Sequence, residues 1–311
     1  MFISSIRLAL IALPLAFVIG CHEENPPVAG APAVVASVGG ATPDATIRTN
    51  VALLKAGNIG ALIAHALPPA EFTKLKADWG KDKDDEPITE EDRQKFNATL
   101  AKLTAPDAEQ KMFSEIEPAL AQFDAQYKQQ LPMYVNMGRG FVRSTVQDNK
   151  EMSDASKQQA LAAIDALADW AQGTRFTDPD KIKAAIAVLV ATARDLKLTT
   201  LDAARTLDFD QSMQKAQTAF LGVKRVLGVY GFSIDRTLDS ITPTVISSDG
   251  NSAKVKIDYS LLDKPLSAEV EMVRLDGQWY GKETIEKMQK RLNEAAAPSA
   301  SAAGKASGPA G

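Results

Sequence analysis

The sequence predicts an α+β protein: a predominantly helical body, then a C-terminal four-stranded antiparallel meander and a short final helix. Three observations carry this. Apolar residues recur at helical spacing from residue 44 to about 231. The period then switches to two between residues 241 and 282. Asp249-Gly250 and Asp276-Gly277 stand where hairpins must turn, and glycine tolerates the positive φ of such turns.

The elements follow in order. Residues 44–67 read as helix, with Gly57 and Gly60 as breaks, and 69–79 as another after Pro68-Pro69. Thr89 suits an N-cap, with Glu90, Glu91 and Asp92 in the electropositive first turn. The helix it opens puts Phe96, Leu100 and Leu103 on one face. Pro106 starts a helix to about residue 131, kinked at Pro118, and 133–146 continues as helix despite Gly138 and Gly140. Ser153 caps an amphipathic helix with Leu161, Ile164, Leu167, Ala168 and Ala171 as its buried stripe. Asp178-Pro179 is a cap followed by proline at the first helical position. The helix beyond it, to about 196, is apolar nearly all round and is expected to be the central, most buried one. Thr199 or Thr200 caps a short helix, and 210–230 makes a long last one.

Strands are expected at 241–247, 252–261, 266–275 and 278–282, with Asp263-Lys264-Pro265 as the middle turn. Alternation puts Val255, Ile257, Tyr259 and Leu261 on one face with Leu266, Ala268, Val270 and Met272. The opposite face sets Lys254 and Lys256 against Glu269 and Glu271. Val270 is expected to be buried against the last long helix. A helix at 284–293 closes the body, so the folded region spans roughly 44–294.

The 311 residues carry 35 Lys+Arg against 39 Asp+Glu, a net charge of −4. A mildly acidic chain is a poor general nucleic-acid binder, since such binding rests on cationic contacts to phosphate. One cysteine excludes an intramolecular disulfide, and two histidines cannot build a His-rich metal site.

The single cysteine has a particular setting. Arg7 precedes an apolar run over 8–19, interrupted only by Pro14. That run is too short to span a bilayer and the right length for a signal-peptide core. Val18, Ile19, Gly20 and Cys21 follow directly. This resembles the lipobox of bacterial lipoproteins. The resemblance implies cleavage before Cys21, with Val18, Ile19 and Gly20 as peptidase recognition residues and diacylglycerol on the Cys21 thiol. Two or three acyl chains such as palmitate anchor a protein stably, at about 0.8 kcal/mol per buried CH₂. His22, where an Asp would favour inner-membrane retention, implies the outer membrane. The expected organisation is a signal peptide at 1–20, a Pro/Ala/Gly-rich tether at 21–43, a helical region at 44–200, an α+β region at 201–294 and a disordered tail at 295–311.

The segment 245–282, with its DG-initiated strand and its VRLDGQWY hairpin, is similar to the closing sheet of nuclear-transport-factor-two-like domains and of lumazine-binding-like exported lipoproteins. The resemblance covers about 40 of 311 residues. It implies a cone-shaped pocket between sheet and helices; by alternation Tyr259 points inward, where it reads first as an aromatic core residue, and Asp258 points outward.

Other motifs read blandly. An EF-hand loop from Asp82 would need Gly at its sixth position and Glu at its twelfth, where Pro87 and Arg93 stand. The run Asp82, Asp84, Asp85, Glu86 is therefore a solvated loop before a helix cap. His65 lies on an apolar helix face with no nucleophile pattern to serve, and reads as a half-buried structural histidine. Gly138 and Gly140 lack the other residues of a phosphate loop, so they read as a helix break or a close helix contact. No constellation supports an enzyme, and no cofactor or metal is expected. The reading is a lipid-anchored cell-envelope protein facing the periplasm, with a structural or interaction role. The alternative is small-ligand binding between the C-terminal sheet and the helices, lined by Tyr259 and Val270. An apolar cavity would favour the ligand; an exposed apolar patch on the helices would favour the interaction module.

Overall fold

The computed structural model describes residues 39–80, 87–150 and 152–296. The helical body runs α1 (Pro43–Lys55), α2 (Ile59–Ala66), α3 (Pro69–Asp78), α4 (Glu90–Thr104), α5 (Ala108–Asp148), α6 (Asp154–Gly173), α7 (Pro179–Leu196), α8 (Leu201–Arg205), α9 (Phe209–Val229) and α10 (Ile234–Asp239). The chain then forms β1 (Thr242–Ser248), β2 (Ser252–Leu261), β3 (Lys264–Leu275) and β4 (Gln278–Gly281), and ends in α11 (Lys282–Ala296). The architecture is α+β, helices first and sheet last.

Helices begin where the sequence supplies a cap. Thr42, Asn58, Ser153, Asp178, Thr200, Asp208 and Ser233 each accept a first-turn N–H through a side-chain oxygen. Thr89 forms a capping box with Asp92. Gly57, at φ 71°, separates α1 from α2. Gly60 does not break the helix; it sits inside α2 where a Cβ would approach Met213 to 3.4 Å. The two helices expected across 106–146 are one, α5, which continues through Pro118, Pro132, Gly138 and Gly140.

The sheet is a plain antiparallel meander in the order β1-β2-β3-β4. Val255 pairs with Val270, Ile257 with Ala268 and Tyr259 with Leu266, so the two strands share one apolar face. On the wet face Lys254 reaches Glu269 diagonally at 3.1 Å, while Lys282 binds Glu271 at 2.7 Å. That bond and its charge hold the Glu271 carboxyl below the usual carboxylate range. The β2–β3 turn falls at Leu262-Asp263, both with positive φ, and not at Asp263-Lys264-Pro265. Lys264 and Pro265 already belong to β3, because pairing continues to the last residue of β2.

Val270 is buried, but its cover differs from expectation. The inner face of the sheet forms one apolar cluster with Ile47 and Val51 of α1, Ala166 of α6 and Leu238 of α10. The last long helix, α9, joins this cluster only through the half-buried Leu227. Most of α9 is committed elsewhere. Phe209 and Met213 pack with Ile59, Phe72 and Trp79, and Gly222 lets α7 approach so closely that a Cβ would lie 2.5 Å from Thr192 Oγ1. α7 is central to the helical sector, burying Ile182, Ile186 and Val190 against α5, yet its Leu189 is exposed.

Residues 39–42, placed in the tether on sequence grounds, are docked. Gly40 bridges Trp279, whose N–H donates to the Gly40 carbonyl at 2.9 Å. Thr46 Oγ1 donates to the Trp279 carbonyl at 3.2 Å. A Cβ on Gly39 would lie 2.6 Å from that carbonyl oxygen and 2.8 Å from the Tyr280 ring, so only glycine fits. This cover explains why Trp279 and Tyr280, neighbours facing opposite ways, are both buried.

The register makes a sharp prediction. Val270→Asp buries an unpartnered carboxylate and costs several kcal/mol before relaxation. Glu271→Lys alters an exposed pair and costs about 1 kcal/mol or less. Thermal melts of the two variants should therefore differ widely; equal losses would contradict the register.

Candidate functional site

At about 1.5 Å per residue, α5 is about 60 Å long. It is anchored in two ways. Its first turns place Ala108, Met112, Phe113 and Leu120 in an apolar cluster with Ile182, Ile186 and Val190 of α7. Beyond residue 123 the attachment is mixed: Leu131, Val135 and Val146 are half-buried on the side that carries a series of polar ties. Arg175 forks onto Asp124 at 3.1 and 3.0 Å, and Thr177 Oγ1 donates to the same carboxylate at 2.6 Å. The Tyr127 hydroxyl donates to the Thr174 carbonyl at 3.3 Å, and Gln172 donates to Asn136 at 3.1 Å. Arg139 donates to Asp169 at 2.7 Å and to the Asp165 carbonyl at 3.1 Å, and Arg143 binds both oxygens of Asp165 at 2.9 and 2.8 Å. Arg139 Nε lies 3.0 Å from Asp165 Oδ1, near enough for charge attraction but not aligned as a hydrogen bond. Lys264 of β3 binds the other oxygen of Asp169, which ties the ladder to the sheet. The Lys264 bond, then the Arg139 bond, hold the Asp169 carboxyl below its ordinary range.

The opposite side of α5 is apolar and faces outward. Ile116, Phe123, Tyr134 and Phe141 are spaced 7, 11 and 7 residues apart, which on a 3.6-residue helix aligns them within about 20°. Met137 lies about 50° and Met133 about 90° to one side of this line. Phe123 is 60% exposed, Met133 58%, Tyr134 53%, Met137 65% and Phe141 74%. Between Ile116 and Ser144 this face also holds Ala119, Gln126, Gln130 and Gly140, and no charged residue. A Cβ on Gly138 or Gly140 would meet nothing within 4 Å, so these glycines serve neither as a break nor as a close contact.

α6 explains how the helix is held this way round. The stripe expected to be buried was Leu161, Ile164, Leu167, Ala168 and Ala171; Ala168 is buried, but Leu167 is at the surface. Ala163, Ala166 and Trp170 turn to the sheet, while Asp165 and Asp169 turn to α5. α6 is a spacer with an apolar side for the sheet and an acidic side for the α5 arginines.

The sequence-derived candidates fall elsewhere. Cys21, Val18, Ile19 and Gly20 lie outside the described residues, as do Asp82, Asp84, Asp85 and Glu86. Glu90, Glu91 and Asp92 form the first turn of α4. Tyr259 is half-buried at the edge of the sheet cluster that contains Val270, and its hydroxyl accepts from Gln159 Nε2 at 3.0 Å. Asp258 pairs with Lys256 at 2.9 Å. A surface hollow of about 420 Å³ lies far from them in sequence, on the first turns of α5 beside Asp107, Lys111 and Glu115. Among the described residues, no three His, Cys, Asp or Glu side chains gather as a metal site requires, and no helix is long and apolar enough to cross a membrane.

His65 is more buried than expected, at 3% exposure, and its Nδ1 lies 2.7 Å from Asn50 Oδ1. An amide oxygen only accepts, so Nδ1 carries the proton. Burial lowers its pKa below the ordinary histidine value. The folded state then binds this proton less readily than the unfolded state. His65 contributes stability above about pH 6.5, and that contribution is lost as pH falls. The Tm advantage of wild type over His65→Gln should shrink between about pH 7.5 and about pH 5.5; an advantage independent of pH would contradict the neutral buried ring.

Ile116, Phe123, Tyr134, Met137 and Phe141 were absent from the sequence-derived site. Their spacing was readable, but amphipathic patterning alone assigns such a stripe to the core. No family model, curated protein or solved structure matches this chain.

Proposed function

We propose that this is a lipid-anchored protein of the cell envelope with a non-enzymatic interaction role, and that α5 is its docking surface. The anchor is the diacylated Cys21, preceded by the recognition residues Val18, Ile19 and Gly20, with the body facing the periplasm from the outer membrane. The observation that carries the interaction role is the outward apolar stripe of α5. Isolated exposed apolar residues are ordinary, but a contiguous stripe on a rigid element marks a surface that meets something. Six large apolar side chains from Ile116 to Phe141 stay in solvent while Arg139 and Arg143 are turned to α6.

The two halves of this reading are tested separately. Wild type should take up labelled palmitate and Cys21→Ser should not; no uptake by wild type removes the anchor. A photoreactive benzoylphenylalanine at Phe141, in intact envelopes, should give protein adducts, whereas the same group at the exposed Gln147 should give few. Equal or absent adducts at both positions would remove the interaction role of α5.

A further inference from the structure

We propose that the occupant of the α5 stripe is a second copy of this chain, with the two α5 helices antiparallel and crossing near Pro132. The proposal rests on the reading of α5 as an interaction surface and names its partner.

Area comes first. With about 200 Å² per large side chain, the fractional exposures of Ile116, Phe123, Met133, Tyr134, Met137 and Phe141 leave about 700 Å² of largely apolar surface. It approaches the roughly 800 Å² that each partner gives to a stable interface.

Charge is the second argument. From Leu120 to Ser144, the window symmetric about Pro132, the face carries no ionised side chain, and beyond it Asp148 comes opposite Ile116 at the end of the seam. A neutral face can be desolvated against a copy of itself without burying an unpaired charge, which suits it to self-pairing. An anionic lipid surface is disfavoured because interfacial helices offer free Lys/Arg on their polar side to the headgroups. Here Arg139 and Arg143 are held by Asp165 and Asp169.

Symmetry is the third. In an antiparallel pair, residues at equal distances on either side of the axis face each other. Phe123 and Phe141 are each nine residues from Pro132, and Gln130 and Tyr134 are each two residues from it. The axis therefore sets Phe123 of one copy against Phe141 of the other at both ends of the seam. Each Tyr134 meets a Gln130 near the centre, where its phenol can hydrogen-bond the amide. Aromatic pairs of this kind add to area burial through offset or edge-to-face packing.

Cysteine cross-linking of the full chain tests both partner and register. Phe123 and Phe141 are about 27 Å apart along one helix, too far for a bond within a copy. The double variant Phe123→Cys/Phe141→Cys should give a covalent dimer on mild oxidation, whereas each single variant and wild type should give little. Phe141→Glu should weaken self-association of the detergent-solubilised chain at least about tenfold in sedimentation analysis. At a dilution where wild type is monomeric its thermal melt should stay near that of wild type, because Phe141 is exposed in the single chain. No dimer from the double variant while its thiols still react with maleimide would overturn the proposal. Efficient cross-linking of either single variant would overturn it too, since that signals a parallel or shifted pairing. If those results came with protein adducts from the Phe141 photoprobe, the interaction role would stand and the self-pairing would fall.

Discussion

The orientation of α5 depends on a polar ladder. From Asp124 to Arg143 this helix is held by carboxylate, guanidinium and amide groups on one side. A single exposed ion pair contributes little, about 0–1 kcal/mol. These pairs share partners: Arg139 and Arg143 both bind Asp165, and Arg139 and Lys264 both bind Asp169. Shared partners lower the ordering cost per bond, and the ladder gains direction from the paired Nε and Nη2 donors of Arg175 on Asp124. With those groups turned to α6 and to residues 174–177, Phe123, Tyr134 and Phe141 stand on the outside. The stripe is the geometric remainder of the ladder.

The ladder in turn depends on where α6 sits. α6 lies on β3 through Ala163, Ala166 and Trp170, small residues or a flat ring that bring its axis close to the sheet. The Trp170 indole N–H donates to the Tyr230 carbonyl at 3.0 Å and fixes the helix against the end of α9. The sheet is clamped from its other end as well. Gly39 and Gly40 pass over Tyr280 and pair with Trp279, so the chain enters the fold at the open edge of β4. A tether leaving this point would hold the body by its sheet end. Lys224 adds a tie at the back, with Asp235 at 2.5 Å and the Lys55 carbonyl at 2.7 Å linking α9, α10 and α1.

Much of this was legible in the sequence, for local reasons. Caps such as Thr89, Ser153, Asp178 and Thr200 act within one turn, and the Asp-Gly turns within four residues. Strand register followed from period-two alternation, because a slip of one residue would have turned Val255 and Val270 to water. The misses are non-local. Gly60, Gly138 and Gly140 look alike in the chain, yet none of them ends a helix; Gly57, with its positive φ, does. The β2–β3 turn moved because Leu262 and Asp263 accept positive φ once ten pairs of β2 and β3 are made. The cover over Val270 could not be read, since α1, α6 and α9 are all amphipathic. The α5 stripe was visible as spacing, but which side of the helix met the body was decided by Asp165 and Asp169, over twenty residues away.

The central claim is that, beyond residue 123, α5 turns its charged groups to the body and the stripe of Phe123, Tyr134 and Phe141 to solvent. Methionine oxidation tests it directly, because the chain carries methionines on both kinds of surface. Under dilute, dissociating conditions, Met133 and Met137 should convert to sulfoxide fast, whereas Met213 and Met272, at 5% and 1% exposure, should be strongly protected. Protection of Met133 and Met137 equal to that of Met213 and Met272 in the monomer would mean that the stripe is buried in the body, and would contradict the account.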